Sequence, residues 1–149
     1  MKQNRLNVFV RDKESQKMAT QRGTDIHQML SRIMFRDGDF VGDKDIVSKI
    51  KTNPELCEIM GPLSRAEVPL AGYIDGMFLS RRIDRLYVNK NTKTIVVLDY
   101  KTDTDKKMYH AKYRVQLIEY YNLLKQIYPD FNISCKILWT HDFTLENVI

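Results

Sequence analysis

Asp99 and Lys101 stand one residue apart at the end of an apolar run, in the stretch TIVVLDYKT that covers residues 94–102. With the period of two of a β-strand, Ile95, Val97, Asp99 and Lys101 share one face and Val96, Leu98 and Tyr100 the other. A carboxylate carried into the row of Ile95 and Val97 is partly desolvated. That costs free energy unless a cation neutralises it, and a divalent metal does so more completely than one lysine. The D-x-K spacing alone distinguishes nothing, because it recurs in Asp105-Lys106-Lys107 amid polar residues that read as a solvated loop. A structural ion pair and a working site both fit Asp99 and Lys101 taken by themselves.

Asp84 raises the same question one strand earlier. In LSRRIDRLYV it shares parity with Phe78, Leu86 and Val88, so it points to an apolar face. If the two strands form the hairpin that the turn NKNTK implies, Asp84 and Asp99 lie on neighbouring strands at one end of a sheet, a workable pair of oxygen ligands for Mg²⁺ or Mn²⁺. An ion pair between Asp84 and Arg82 or Arg85 is the alternative. His27 sits about 100° of helical rotation from Ile26, at the border of an apolar stripe, where a structural histidine and a metal ligand are both possible. Further on, Tyr113, Gln116, Leu117, Tyr120, Leu124 and Ile127 make one helix face. A glutamine in that stripe must find hydrogen-bond partners, and with the two tyrosines it could meet a phosphate or a base, although tyrosines there also serve as plain core aromatics.

The elements that must hold these groups follow from periodicity and punctuation. Residues 22–35 predict an amphipathic helix with Thr24 or Thr20 as cap, broken by DGDFVGDKD, and a less regular helix runs over 44–60 to Gly61-Pro62. Residues 64–88 read as strands, with Gly72 as a turn or bulge. TIVVLDYK, apolar on both faces, predicts the central strand of a sheet covered on both sides. A long helix over 108–128 stops at Pro129, and ISCKILWT supplies a last strand. There is no internal repeat and no low-complexity segment.

At 149 residues and 43% hydrophobic composition, one domain with a real core is the simplest organisation. A net charge of +5, from 24 basic against 19 acidic residues, suits a polyanionic partner without requiring one. Cys57 and Cys135 match no CxxC spacing, so no zinc knuckle and no iron–sulfur cluster is expected, and they read as reduced thiols. The only apolar piece near the start, LNVFV, is too short for a signal peptide or a membrane span, so a cytoplasmic, membrane-free protein is expected.

In order, the chain carries GTDIH (23–27), AEVPL (66–70), RRIDRL (81–86), LDYKT (98–102) and YRVQLIEYY (113–121). This series resembles the nuclease domain of RecB-type recombination helicase–nucleases, within the PD-(D/E)XK superfamily. The resemblance runs from Arg22 onward and rests on the order and spacing of five short motifs. It implies an α/β fold, a restriction-endonuclease-like core with a central mixed β-sheet flanked by α-helices, as a single domain over residues 1–149 with 1–20 as a lead-in. Asp84 and Asp99 look like the metal-binding carboxylates, and His27 like an additional ligand from the first helix. Tyr100 would offer its backbone carbonyl to the metal, and Lys101 would orient or activate the attacking water. Glu67 matches the glutamate of the family's E-x-P-type strand, and Gln116 and Tyr120 match its Q-x-x-x-Y helix.

Where the family usually carries a glycine ahead of the first aspartate, this chain has Arg81 and Arg82. The activity implied is Mg²⁺- or Mn²⁺-dependent hydrolysis of DNA, single- or double-stranded, in end processing or recombinational repair, leaving a 5′-phosphate and a 3′-hydroxyl. Lys106, Lys107, Lys112 and Arg114 are the basic residues nearest in sequence to attract the phosphate backbone. The 149 residues contain no helicase motor, so a helicase enters only as a partner. Two other readings stay open: an inactive nuclease-like nucleic-acid-binding module, and the same chemistry directed at RNA.

Overall fold

The computed structural model describes residues 25–149. Helix α1 is described over residues 25–31. It is followed by strands β1 (Met34–Arg36) and β2 (Asp39–Val41), helices α2 (Lys44–Lys51) and α3 (Pro54–Ile59), and strands β3 (Ser64–Ile74), β4 (Met77–Asn89) and β5 (Thr94–Lys101). Helix α4 (Lys106–Ile127) and strands β6 (Asn132–Trp139) and β7 (Thr144–Asn147) complete the chain. The main sheet has the order β3-β4-β5-β6-β7, with β5 in the middle as its pattern requires. β5 and β6 are parallel and the other pairs antiparallel, so the connection between β5 and β6 must cross over, and α4 is that crossover.

Each face of the sheet is covered. Val96, Leu98 and Tyr100 of β5 join Leu30, Ile33, Ile46, Ile50 and Leu56 beneath α1 to α3. Ile95 and Val97 join Leu117, Tyr120, Leu123 and Leu124 of α4 on the opposite side. The two-sided alternation of TIVVLDYK is therefore the physical reason that this strand is central.

Several boundaries differ from the sequence expectation, each for a local reason. The first helix stops at residue 31 instead of 35. Asp37 and Gly38, with φ of 53° and 81°, make a tight hairpin turn that pairs β1 with β2 and leaves Met34 exposed. The expected start of that helix, with Thr20 and Thr24, lies outside the described residues, as does the lead-in over 1–20. The single helix over 44–60 is two, because Pro54 has no N–H to donate and takes the first position of α3, while Asn53 Oδ1 caps it by accepting from the Leu56 N–H at 3.2 Å. Gly72 is neither turn nor bulge. β3 runs through it, and the hairpin turns at Asp75-Gly76 (φ of 51° and 77°). Gly72 is small because α4 comes close: a Cβ there would lie 2.9 Å from Leu123 Cδ2. Strand β7 was not expected, and Ile127, placed on the inner helix face, is exposed. Among the described residues no helix is long and apolar enough to cross a membrane.

Candidate active site

Three acids stand in a row across the sheet. Asp84 occupies the position just beyond the last β4–β5 pair, Arg85↔Leu98, which brings it beside Asp99. Glu67 falls between the pairs Ala66↔Arg85 and Val68↔Ile83, opposite Asp84 on β3. The backbone is irregular at this level. Glu67 has a φ of 56°, a left-handed conformation rare for a residue with a side chain. On β4, Ile83 packs against α4, and so do Leu86 and Val88, whereas Arg85 and Tyr87 face the other side. The strand therefore inverts its faces at Asp84 and Arg85, so the parity that Asp84 shares with Leu86 does not extend back to Phe78, which is exposed. Asp84 Oδ2 takes the place of a ladder carbonyl, accepting from the Tyr100 N–H at 2.8 Å.

The expected alternative for Asp84, an ion pair with Arg82 or Arg85, is not what forms. Arg82 approaches Glu67 at 3.6 Å. Arg85 is buried and donates to Tyr100 Oη at 3.0 Å, to the Leu30 and Ile33 carbonyls at 3.1 and 2.9 Å, and to Ser64 Oγ at 3.1 Å. Asp84 instead has His27 Nε2 at 3.6 Å from Oδ2, reached from α1.

On the α4 side, Lys101 Nζ lies 2.9 Å from Asp99 Oδ2 and donates to Gln116 Oε1 at 3.0 Å, over the Tyr113 ring at 4.3 Å from its centroid. Gln116 Nε2 donates to Tyr120 Oη at 2.8 Å, and Tyr113 Oη donates to Asp103. The glutamine in the apolar stripe thus finds its partners within the protein. Burial pushes the Tyr120 phenol up to about 12, so it stays neutral at ordinary pH.

The two aspartates are held in different states. Asp99 is 3% exposed, and desolvation pushes its carboxyl up to about 7, aided by the charge of Asp84 and opposed by Lys101. Burial acts in the same direction on Asp84, but hydrogen bonds from His27 and the Tyr100 N–H outweigh it and hold that carboxyl below its ordinary value. Near neutral pH the pair therefore keeps Asp84 ionised and concentrates proton affinity on Asp99. Asp99 Oδ2 is buried, with the Lys101 ammonium 2.9 Å away as its ion-pair partner and no further hydrogen-bond donor. A buried carboxylate oxygen with one cationic partner, beside a second carboxylate, fits a hard divalent cation. Among the described residues no three His, Cys, Asp or Glu side chains are grouped so as to hold a metal ion, so an ion between Asp84 and Asp99 would take backbone carbonyls or water for the rest of its shell.

The basic residues are dispersed. Lys106 is tied at 2.8 Å to Asp142 and at 2.7 Å to Thr144, by the β6–β7 turn, while Lys107, Lys112 and Arg114 lie exposed along α4. Sequence reasoning gave Arg85 no part beyond a partner for Asp84, although its parity with Tyr87 marks it as an inward-facing cation. The place of Tyr113 under Lys101 carried no signal, because it depends on how α4 docks. A family model described as the PD-(D/E)XK nuclease superfamily matches residues 44–134, a span that contains Glu67, Asp84, Asp99, Lys101, Gln116 and Tyr120 and begins after His27. No curated protein matches the chain.

Proposed function

The chain belongs to the PD-(D/E)XK nuclease superfamily, and from that premise we propose that it is a RecB-type deoxyribonuclease that hydrolyses DNA phosphodiesters with Mg²⁺ or Mn²⁺, in end processing or recombinational repair. The observation that carries this reading is the buried Asp99, placed beside Asp84 and within 2.9 Å of Lys101. Asp84 and Asp99 would hold the ion, with His27 and the Tyr100 carbonyl as further ligands. Such an ion supplies Lewis acidity and a bound water of lowered pKa.

The chain's own groups do the rest. Lys101 offsets the charge that builds on the attacking oxygen and the phosphate. Gln116, anchored by Tyr120, keeps that ammonium from swinging away, and the Tyr113 ring supports it from below. Attack at phosphorus breaks the bond to the 3′ oxygen, leaving a 5′-phosphate and a 3′-hydroxyl. Glu67, opposite Asp84 on β3 and 42% exposed, would take a proton from water or join the ligand set.

Asp99→Ala and Lys101→Ala should each abolish Mn²⁺-dependent DNA cleavage, by about 10³-fold or more, while circular dichroism stays unchanged. Full activity in either variant would show the site to be elsewhere. Digestion of single-stranded DNA, duplex DNA and RNA in parallel, with and without EDTA, tests substrate and metal together; binding that survives EDTA without any cutting would assign a non-catalytic binding module.

A further inference from the structure

The β3–β4 hairpin outruns its neighbour. β4 pairs with β5 only from Arg85 onward, so residues 77–84 and their β3 partners, residues 67–74, form a two-stranded ribbon that projects past the carboxylates. One face of this ribbon is closed by α4, against which Leu70, Ile74, Leu79 and Ile83 pack. The opposite face is open, and its register gives it an order: Pro69↔Arg82 next to the site, Ala71↔Ser80 in the middle, Tyr73↔Phe78 at the tip. Arg82 is 69% exposed, and Tyr73 and Phe78 are 64% and 57% exposed with ring centroids 5.4 Å apart. His27, 3.6 Å from Asp84, and Glu67, 3.6 Å from Arg82, lie on this same side.

We infer that the open face of the ribbon is a track for single-stranded nucleic acid leaving the cleavage site, with Arg82 on a backbone phosphate and the Tyr73–Phe78 pair as a stacking platform for bases. Small residues in the middle leave a low floor between a cation and an aromatic pair, which matches a strand whose phosphates and bases are held at separate points. Four residues from Arg82 to Phe78 span about 13 Å, about four nucleotides at the stacked rise of one strand. The occupant is a single strand and not a duplex, because ring faces are reached only by unpaired bases. The inference rests on the nuclease reading for what lies at the site end of the track, but base stacking can be measured apart from cleavage.

The test uses the full chain and a labelled oligothymidylate of about twelve nucleotides, with Ca²⁺ in place of the active metal, beside a duplex of equal length. Tyr73→Ala with Phe78→Ala should weaken single-strand binding about tenfold or more and duplex binding by less than about threefold. Tyr73→Phe with Phe78→Tyr should bind as the parent does. Hydrolysis of the p-nitrophenyl ester of thymidine monophosphate, which needs only the metal site, should be unchanged in both variants. Equal single-strand affinity in the alanine variant would overturn the platform and leave the rings to a protein partner or a second copy. Equal losses for single strand and duplex would overturn it too. Failure of the parent protein to hydrolyse the small ester would instead sink the nuclease reading, and the binding comparison would still decide the platform.

Discussion

At the residue scale, Asp99 decides how the site behaves without metal. An unfolded aspartate titrates near 3.9, whereas this one is pushed up to about 7 by desolvation, with Asp84 adding to the shift and Lys101 opposing it. Between those values the native state binds a proton that the unfolded chain does not, so stability falls as pH rises toward 7 and stays low above it. Asp99→Asn removes that loss. In EDTA at pH 8 the variant should melt above the parent, by about 1–3 kcal/mol or roughly 3–10 °C, and the difference should vanish below about pH 4. Saturating Mn²⁺ should reverse the order, because an ion that binds only the folded parent raises its melting temperature and not the variant's. Thermal melts across pH with and without Mn²⁺ report both; a parent insensitive to Mn²⁺ would count against the carboxylate pair as a metal site.

At the scale of elements, α1 is held to the sheet by one buried cation. The Leu30 and Ile33 carbonyls at its end both accept from Arg85, which also reaches Tyr100 Oη, so the helix bearing His27 and the strand bearing Asp99 share an anchor. Arg85→Met would leave the Ile33 carbonyl and Tyr100 Oη without this donor inside the core, with the Leu30 carbonyl keeping only the Ile33 N–H at 3.2 Å, at about 2–4 kcal/mol. Urea unfolding should show that loss, and amide exchange in residues 25–31 should accelerate more than in β5. Arg85→Lys should recover only part, since an ammonium lacks the planar fork that serves several acceptors at once. A cost under about 1 kcal/mol would mean that the apolar packing of Leu30 and Ile33 suffices to seat α1.

At the scale of the whole molecule, the mixed five-stranded sheet flanked by helices is consistent with a restriction-endonuclease-like fold, in keeping with the superfamily. Lys106 is neutralised by Asp142, while Lys112 and Arg114 stand exposed on α4. If α4 borders the nucleic-acid path, Lys112→Ala with Arg114→Ala should reduce the slope of log affinity against log salt by about 1.4–1.8, whereas Lys106→Ala should change it less. Titrations between about 50 and 200 mM salt measure this, and an unchanged slope would take α4's outer face off the path.

The hairpin of β4 and β5, the central place of TIVVLDYK and the α4 crossover were legible because each depends on a short-range repeat, a turn or a stop that the chain carries locally. So was the meeting of Asp84 and Asp99, which follows from parity and one turn. The split at Pro54 is also local, but the apolar rhythm over residues 44–60 hides the break that a single proline makes. Other features have no local signature: the inversion of β4 at Asp84, the turning of Arg85 toward the α1 carbonyls, the capture of Lys106 by the β6–β7 turn, and the ring of Tyr113 beneath Lys101. These were decided by tertiary structure, because desolvation and the choice of charge partner depend on which groups the fold brings within a few ångströms, whatever their separation along the chain.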